Sequence, residues 1–215
     1  MGRVVCPLCE TRPVRRACPG VRNDICSVCC GTEREQTIDC PLDCEYLIAA
    51  RENEKRPQLD EAAMPDPDVR VTDYFLNEHA ALVVVIGQAI FSAAMQTPGV
   101  VDSDVAEAMA ALVQTYRTAQ SGLIYESRPA NPIAAAVQAT VQAQIAAFRE
   151  EVARRSGTHS VRDVDVLGVI VFWRRVCWSA MNGRRKGRAF LSRLLRDLPP
   201  VQAAAEATES RLITP

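Results

Sequence analysis

The sequence predicts a mainly α protein in two parts: a small N-terminal zinc-binding module and a C-terminal five-helix all-α bundle. Three observations predict it. Eight of the nine cysteines fall between Cys6 and Cys44. A charged stretch carrying Pro57, Pro65 and Pro67 follows at 51–68. From about Thr72 onward, apolar residues recur at helical rather than strand period. The expected boundaries are 1–50 for the module, 51–68 for a solvated linker, 69–199 for the bundle and 200–215 for a flexible tail. A chain of 215 residues accommodates one ordinary core plus a small module.

The module comes first in the chain. Thirty-nine residues holding eight cysteines must be held by disulfides or by metal. Cys6-Pro-Leu-Cys9 and Cys26-Ser-Val-Cys29 have the short paired spacing that lets two thiolates of one turn reach one tetrahedral zinc. No charged-then-apolar leader opens the sequence, so a cytoplasmic setting is expected, where thiols stay reduced and metal is favoured over disulfides. Structural zinc is almost always four-coordinate. Two zinc ions are therefore expected, with Cys6, Cys9, Cys18, Cys26, Cys29, Cys30, Cys40 and Cys44 as ligands. Cys40-Pro-Leu-Asp-Cys44 is expected to open a helix to about Lys55, with Pro41 in its first turn, acidic Asp43 and Glu45 at its positive end and the two cysteines one turn apart.

The order Cys6-x2-Cys9, Cys18-Pro19, Ile25-Cys26-Ser27 with Cys30, then Cys40-x3-Cys44 resembles a cross-braced zinc finger of the HIT or MYND type over residues 4–45. The resemblance implies that Cys6, Cys9, Cys26 and Cys30 share one ion and that Cys18, Cys40 and Cys44 supply three corners of another. The family's partner for Cys18 would fall at Val21, which cannot ligate, and Cys29 is an extra thiol. An alternative pairing puts Cys26 and Cys29 on the first ion and Cys30 on the second, and the sequence does not choose. A finger of this kind joined to a helical domain is also similar to bacterial proteins of unassigned activity, which implies no reaction.

The bundle is read from its stripes and breaks. Residues from about Thr72 to Gln96 are apolar nearly all round, as in a central helix, and Thr97-Pro98-Gly99 stops it. A strand through Val83, Val84 and Val85 is the rival reading, outweighed by the surrounding Ala, Glu and Met. Asp102-Ser103 starts the next helix, with Val105, Met109, Leu112 and Tyr116 in one stripe and Gly122 at its end. Asn131-Pro132 is a cap followed by a first-turn proline, and Ile133, Val137, Val141, Ile145, Phe148 and Val152 mark a face that finishes at Gly157. Ser160 with Asp163 forms a capping-box-like start for a helix to Met181. A last helix from about Arg184 to Leu198 carries Phe190, Leu191, Leu194, Leu195 and Leu198 on one side, and Pro199-Pro200 ends it.

Other candidates are weaker. Residues 174–196 hold eight basic side chains and no acid, with Arg184, Arg185, Lys186 and Arg188 at the centre, a run able to bind phosphates. The plainer reading is that these arginines flank an apolar stripe, with the acidic linker as an intramolecular partner. His79 and His159 lack the repeated Glu-x-x-His pairs of a di-metal helix site and read as structural or solvated. The cluster Tyr116, Arg117, Tyr125, Glu126, Arg128 and Asn131 is the best remaining place for an enzyme site, although a loop tying two helices explains it more simply. Cys177 reads as a core thiol. The formal net charge of −1 argues against a generally basic nucleic-acid coat protein, and no apolar run reaches the roughly 20 residues a membrane span needs. The expectation is a non-enzymatic zinc-binding adaptor or regulator with a protein partner. The alternative is a regulator that binds nucleic acid through the basic run.

Overall fold

The computed structural model describes residues 4–54, 59–123, 125–157 and 161–198. The chain divides into two compact units, Met1–Gln58 with Met181–Ala189, and Leu59–Ala180 with Phe190–Pro215. The first unit therefore recruits a segment from the far end of the sequence. The bundle expected over 69–199 included that segment.

In the first unit, β1 (Arg16–Cys18) and β2 (Asn23–Ile25) form an antiparallel hairpin with Ala17 opposite Asp24. Cys26 then caps α1 (Ser27–Glu33) through its side chain, and Cys44 stands at the N-terminal boundary of α2 (Glu45–Asn53) without a side-chain cap bond. Neither the hairpin nor α1 was foreseen, and both are very short. The helix expected to open at Cys40 starts at Glu45 instead, because residues 41–44 close a turn in which the Cys44 N–H donates to the Pro41 carbonyl at 3.2 Å. Cys40 and Cys44 thus flank a turn rather than share a helix face.

Among the described residues, the buried apolar core of this unit is Cys6, Cys26, Cys29, Cys30 and Cys40 with three aliphatic side chains, Ile25, Ile38 and Leu47. So small an aliphatic core cannot by itself hold about fifty residues folded. More than half of the buried apolar core is cysteine.

The second unit holds α3 (Asp73–Glu78), α4 (Ala80–Gln96), α5 (Asp102–Gln120), α6 (Pro132–Ser156), α7 (Asp163–Ala180) and α8 (Ala189–Asp197), the last lying in this unit from Phe190. Helix α5 packs on α6 and α7, and α4 packs on the same two helices. The stripe Val105, Met109, Leu112 and Tyr116 is buried, as are Val137, Val141 and Ile145 of α6. Asn131 caps α6 through the Ile133 N–H at 2.9 Å, and Gly157 ends it in the left-handed region.

Several expectations for the bundle need correction. The helix foreseen over 72–96 is two helices, broken at His79, whose ring packs on Phe75 with centroids 4.5 Å apart. The capping pair of α7 is Arg162 and Asp165, with Asp165 Oδ2 accepting the Arg162 N–H at 3.1 Å, while Asp163 instead takes Arg149 at 2.6 Å. Val101 and Asp104 start α5 the same way at 2.9 Å. Ser160, Pro199, Pro200 and the tail lie outside the described residues. The last helix begins at Ala189 rather than Arg184, because backbone N–H groups of the preceding segment are committed elsewhere. Leu195, expected on its apolar face, is exposed.

The linker reading also fails beyond Pro65. Asp66 pairs with Arg174 and Arg117, and Arg175 donates to the carbonyls of Pro65, Asp66 and Val69. The acidic end of the linker is thus the intramolecular partner of the first arginines of the basic run.

Candidate metal centre

The first C-x-x-C turn is fixed by a short backbone pairing in which the Cys6 N–H donates to the Arg12 carbonyl at 2.8 Å and the Glu10 N–H to the Cys6 carbonyl at 2.7 Å. The second turn lies where β2 passes into α1, and the Cys29 N–H donates to Cys26 Sγ at 3.3 Å. The two turns bring Cys6, Cys9, Cys26 and Cys29 together with all four sulfurs within 4.8 Å of one another. A tetrahedral ion with metal–sulfur bonds of about 2.3 Å separates its ligands by about 3.8 Å. Cys9 Sγ and Cys26 Sγ are 3.9 Å apart. These four residues fit a metal ion.

The resemblance assigned Cys30 to this set, and the structure puts Cys29 there. Cys26 and Cys29 lie on one turn of α1 and face the first knuckle. Cys30 is turned about 100° further round the helix. It meets Arg16 instead, whose Nη1 donates to Cys30 Sγ at 3.2 Å.

The charges within the first set are uneven. Burial would raise the Cys6 thiol, but N–H groups of Cys26, Leu8 and Cys9 hold it below its ordinary value. The Thr11 hydroxyl, with the N–H groups of Thr11 and Arg12, draws Cys9 down to about 5. Cys29 is pushed up to about 12 by the neighbouring Cys26 sulfur, by burial and by the other thiols. Four adjacent thiolates repel one another until a cation sits among them.

Comparison with protein-family models, with curated proteins and with solved structures gives no match to the chain. The reading of the site therefore rests on its own geometry.

Cys18, Cys40 and Cys44 are half-buried or buried in the same unit, and with Cys30 they line one small enclosed cavity. The structure also shows what the basic run does at its centre. Glu35, only 1% exposed, follows α1 with φ of 53°, and its carboxylate accepts from Arg51 Nη2 at 2.5 Å, Asn182 Nδ2 at 2.9 Å and the Arg188 N–H at 2.8 Å. Its carbonyl accepts the Lys186 N–H at 2.7 Å. Around it Arg184 Nη1 donates to the Arg34 carbonyl at 2.6 Å, Lys186 Nζ to the Thr37 carbonyl at 3.0 Å, and Arg188 pairs with Asp39 at 2.9 Å. The Arg185 N–H donates to Gln36 Oε1 at 3.3 Å. Three of the four basic side chains singled out for phosphate binding thus hold the 181–189 segment onto the cysteine module.

The other candidates disperse. Arg117 turns to Asp66 and Asp68, Asn131 caps α6 and donates to Asp104 at 2.6 Å, and Glu126 pairs with Arg128 at 3.0 Å. Thr118 Oγ1 donates to the Tyr125 carbonyl at 3.1 Å, and Gln138 Nε2 to the Ser127 carbonyl at 2.6 Å, so the 121–131 loop is stitched to α5 and α6. Tyr116 is buried under Arg149 and Tyr125 is exposed.

His79 Nε2 lies 3.7 Å from Asp165 Oδ1 beside an open cleft of about 450 Å³. No serine, threonine, cysteine or tyrosine is among the described residues that line it. His159 lies outside the described residues. Cys177 is fully buried, its thiol pushed well up by burial, as expected of a core thiol. No helix among the described residues is long and apolar enough to cross a membrane.

Sequence reasoning did not find Glu35 or Arg16. A buried glutamate in Glu33-Arg-Glu-Gln-Thr37 carries no local mark that separates it from its exposed neighbours.

Proposed function

We propose that this protein is a zinc-binding adaptor or regulator that acts through contact with another protein and carries two zinc ions. The observation that carries the reading is the four-sulfur set of Cys6, Cys9, Cys26 and Cys29 at the spacing a closed tetrahedral site needs. All-thiolate coordination favours zinc among the common divalent ions, and a shell filled by four protein ligands leaves no open position for a reacting water. Such a site is structural, so the function lies on the surface that the metal holds in shape.

Apolar side chains support an interaction role. Leu8 and Val28, each preceding the second cysteine of its knuckle, are 43% and 46% exposed, and Val4 and Val5 are exposed as well. Large apolar residues at both knuckle tips of so small a module suit a protein partner better than a polyphosphate. The HIT or MYND resemblance, with the corrected Cys29 pairing, is consistent with that role.

The test combines metal analysis with a census of copurifying material. Elemental analysis is expected to find about two zinc ions per chain. A defined protein that copurifies with the chain, and is lost with the double change Leu8→Asp and Val28→Asp while zinc content is kept, supports the adaptor. Nuclease-sensitive material in its place refutes the adaptor and favours the nucleic-acid alternative.

A further inference from the structure

We propose that Cys18, Cys30, Cys40 and Cys44 form a second tetrathiolate metal site, compensated by guanidinium donation from Arg16. The proposal rests on the zinc-binding reading above and assigns the ligands of its second ion. The four residues arrive from separate segments: Cys18 ends β1, Cys30 lies on the second turn of α1, and Cys40 and Cys44 flank the turn before α2. They converge on one cavity of about 10 Å³, whose remaining wall is Ala17, Arg34, Ile38, Tyr46 and Leu47. That is about the volume that admits one water-sized sphere.

Among the described residues no carboxylate or imidazole lines this cavity, and the soft ligands it offers a metal are the four sulfurs. All four are free thiols rather than disulfide partners, and together with Cys6, Cys9, Cys26 and Cys29 they exhaust the cysteines of the module. Their sulfurs stand further apart than those of the first set, since the mutual 4.8 Å spacing is met by that set alone among the described residues. The second shell closes by side-chain rotation around an ion at its centre.

The charge environment is the second, independent observation. Arg16 Nη1 donates to Cys30 Sγ at 3.2 Å, Arg34 Nη2 reaches the same sulfur at 3.9 Å, and the Arg16 guanidinium is stacked 4.7 Å from the centre of the Tyr46 ring. Two cations directed at one sulfur are out of place beside a neutral thiol in an apolar wall. They match a shell in which four thiolates and one divalent ion leave two negative charges. Cys30, which the resemblance would have given to the first ion, is thereby the corner that Val21 cannot supply.

The experiment uses the full chain as purified with zinc. Alkylation of the folded protein followed by mass mapping is expected to leave all eight module cysteines unmodified, with two zinc ions per chain. The double change Cys18→Ser and Cys44→Ser is expected to retain one zinc, with Cys6, Cys9, Cys26 and Cys29 still protected. Arg16→Gln is expected to weaken one of two zinc-binding steps about 10-fold or more and leave the other unchanged. One zinc per wild-type chain, with Cys18, Cys30, Cys40 and Cys44 alkylated or oxidised in pairs, overturns this proposal and leaves the first site standing. No zinc and eight reactive thiols overturn the zinc reading itself. The alkylation map of the wild-type chain decides the matter even if the variants do not fold.

Discussion

The carboxylate of Glu35 accepts the backbone N–H of Arg188 at 2.8 Å, joining residues 153 positions apart in the sequence. This bond, with those from Arg51 and Asn182 to the same buried carboxylate, makes the 181–189 segment part of the cysteine module. Glu35→Ala leaves the partly buried Arg51 and the Arg188 N–H without their acceptor. A loss of about 3 kcal/mol in the stability of that unit is expected. Hydrogen exchange should show faster exchange at Lys186 and Arg188, with the amides of α5 and α7 unchanged.

Metal removal should act on the same unit. Because its apolar core is mostly cysteine, chelation is expected to unfold residues 4–54 and release the amides of 181–189, while most helical circular dichroism persists. Loss of all helicity in one step would show that the bundle cannot stand without the module.

Helix α4 approaches α7 through a glycine. A Cβ built on Gly87 would meet the ring of Trp173, whose Nε1 donates to the Val83 carbonyl at 2.9 Å. Alanine favours an isolated helix by about 1 kcal/mol over glycine, yet here it forces the buried indole to move. Gly87→Ala is expected to destabilise the bundle by about 1–3 kcal/mol, read as a lower denaturation midpoint by tryptophan fluorescence. Gly168→Ala, which would meet the Phe75 ring at 2.5 Å, should behave alike.

Asp165 provides a pH test confined to the bundle. Hydrogen bonds from the Arg162 side chain, with its N–H and the nearby His79, hold this carboxyl below its ordinary value against the opposing effect of burial. A depressed value means that the ionised form favours the fold. Its contribution is complete above the unfolded value of about 3.9 and is lost as pH falls through the lower native one. Asp165→Asn is expected to cost roughly 1 kcal/mol at pH 7. The gap between variant and wild type should close below about pH 4. Both tryptophans lie in the second unit, so their fluorescence reports on this unit.

The sequence by itself determined the cysteine module, the helical class and most helix limits in the bundle. Those features are local: a C-x-x-C turn, an Asn131-Pro132 start and a Gly157 stop each act within a few residues. Apolar stripes such as Val105, Met109 and Leu112 declare their buried face by period alone. Only the tertiary structure decided that Cys29 rather than Cys30 joins Cys6, Cys9 and Cys26, since adjacent residues on a helix point about 100° apart and the strand entering α1 sets which one faces the knuckle. It also decided the role of the basic run. Arg184, Lys186 and Arg188 read as solvent-facing charges until Glu35, 147 residues from Asn182 and 153 from Arg188, supplies a buried acceptor for their segment. Local pattern cannot carry that information, because the partner of a buried charge is chosen by which distant segments the fold brings together.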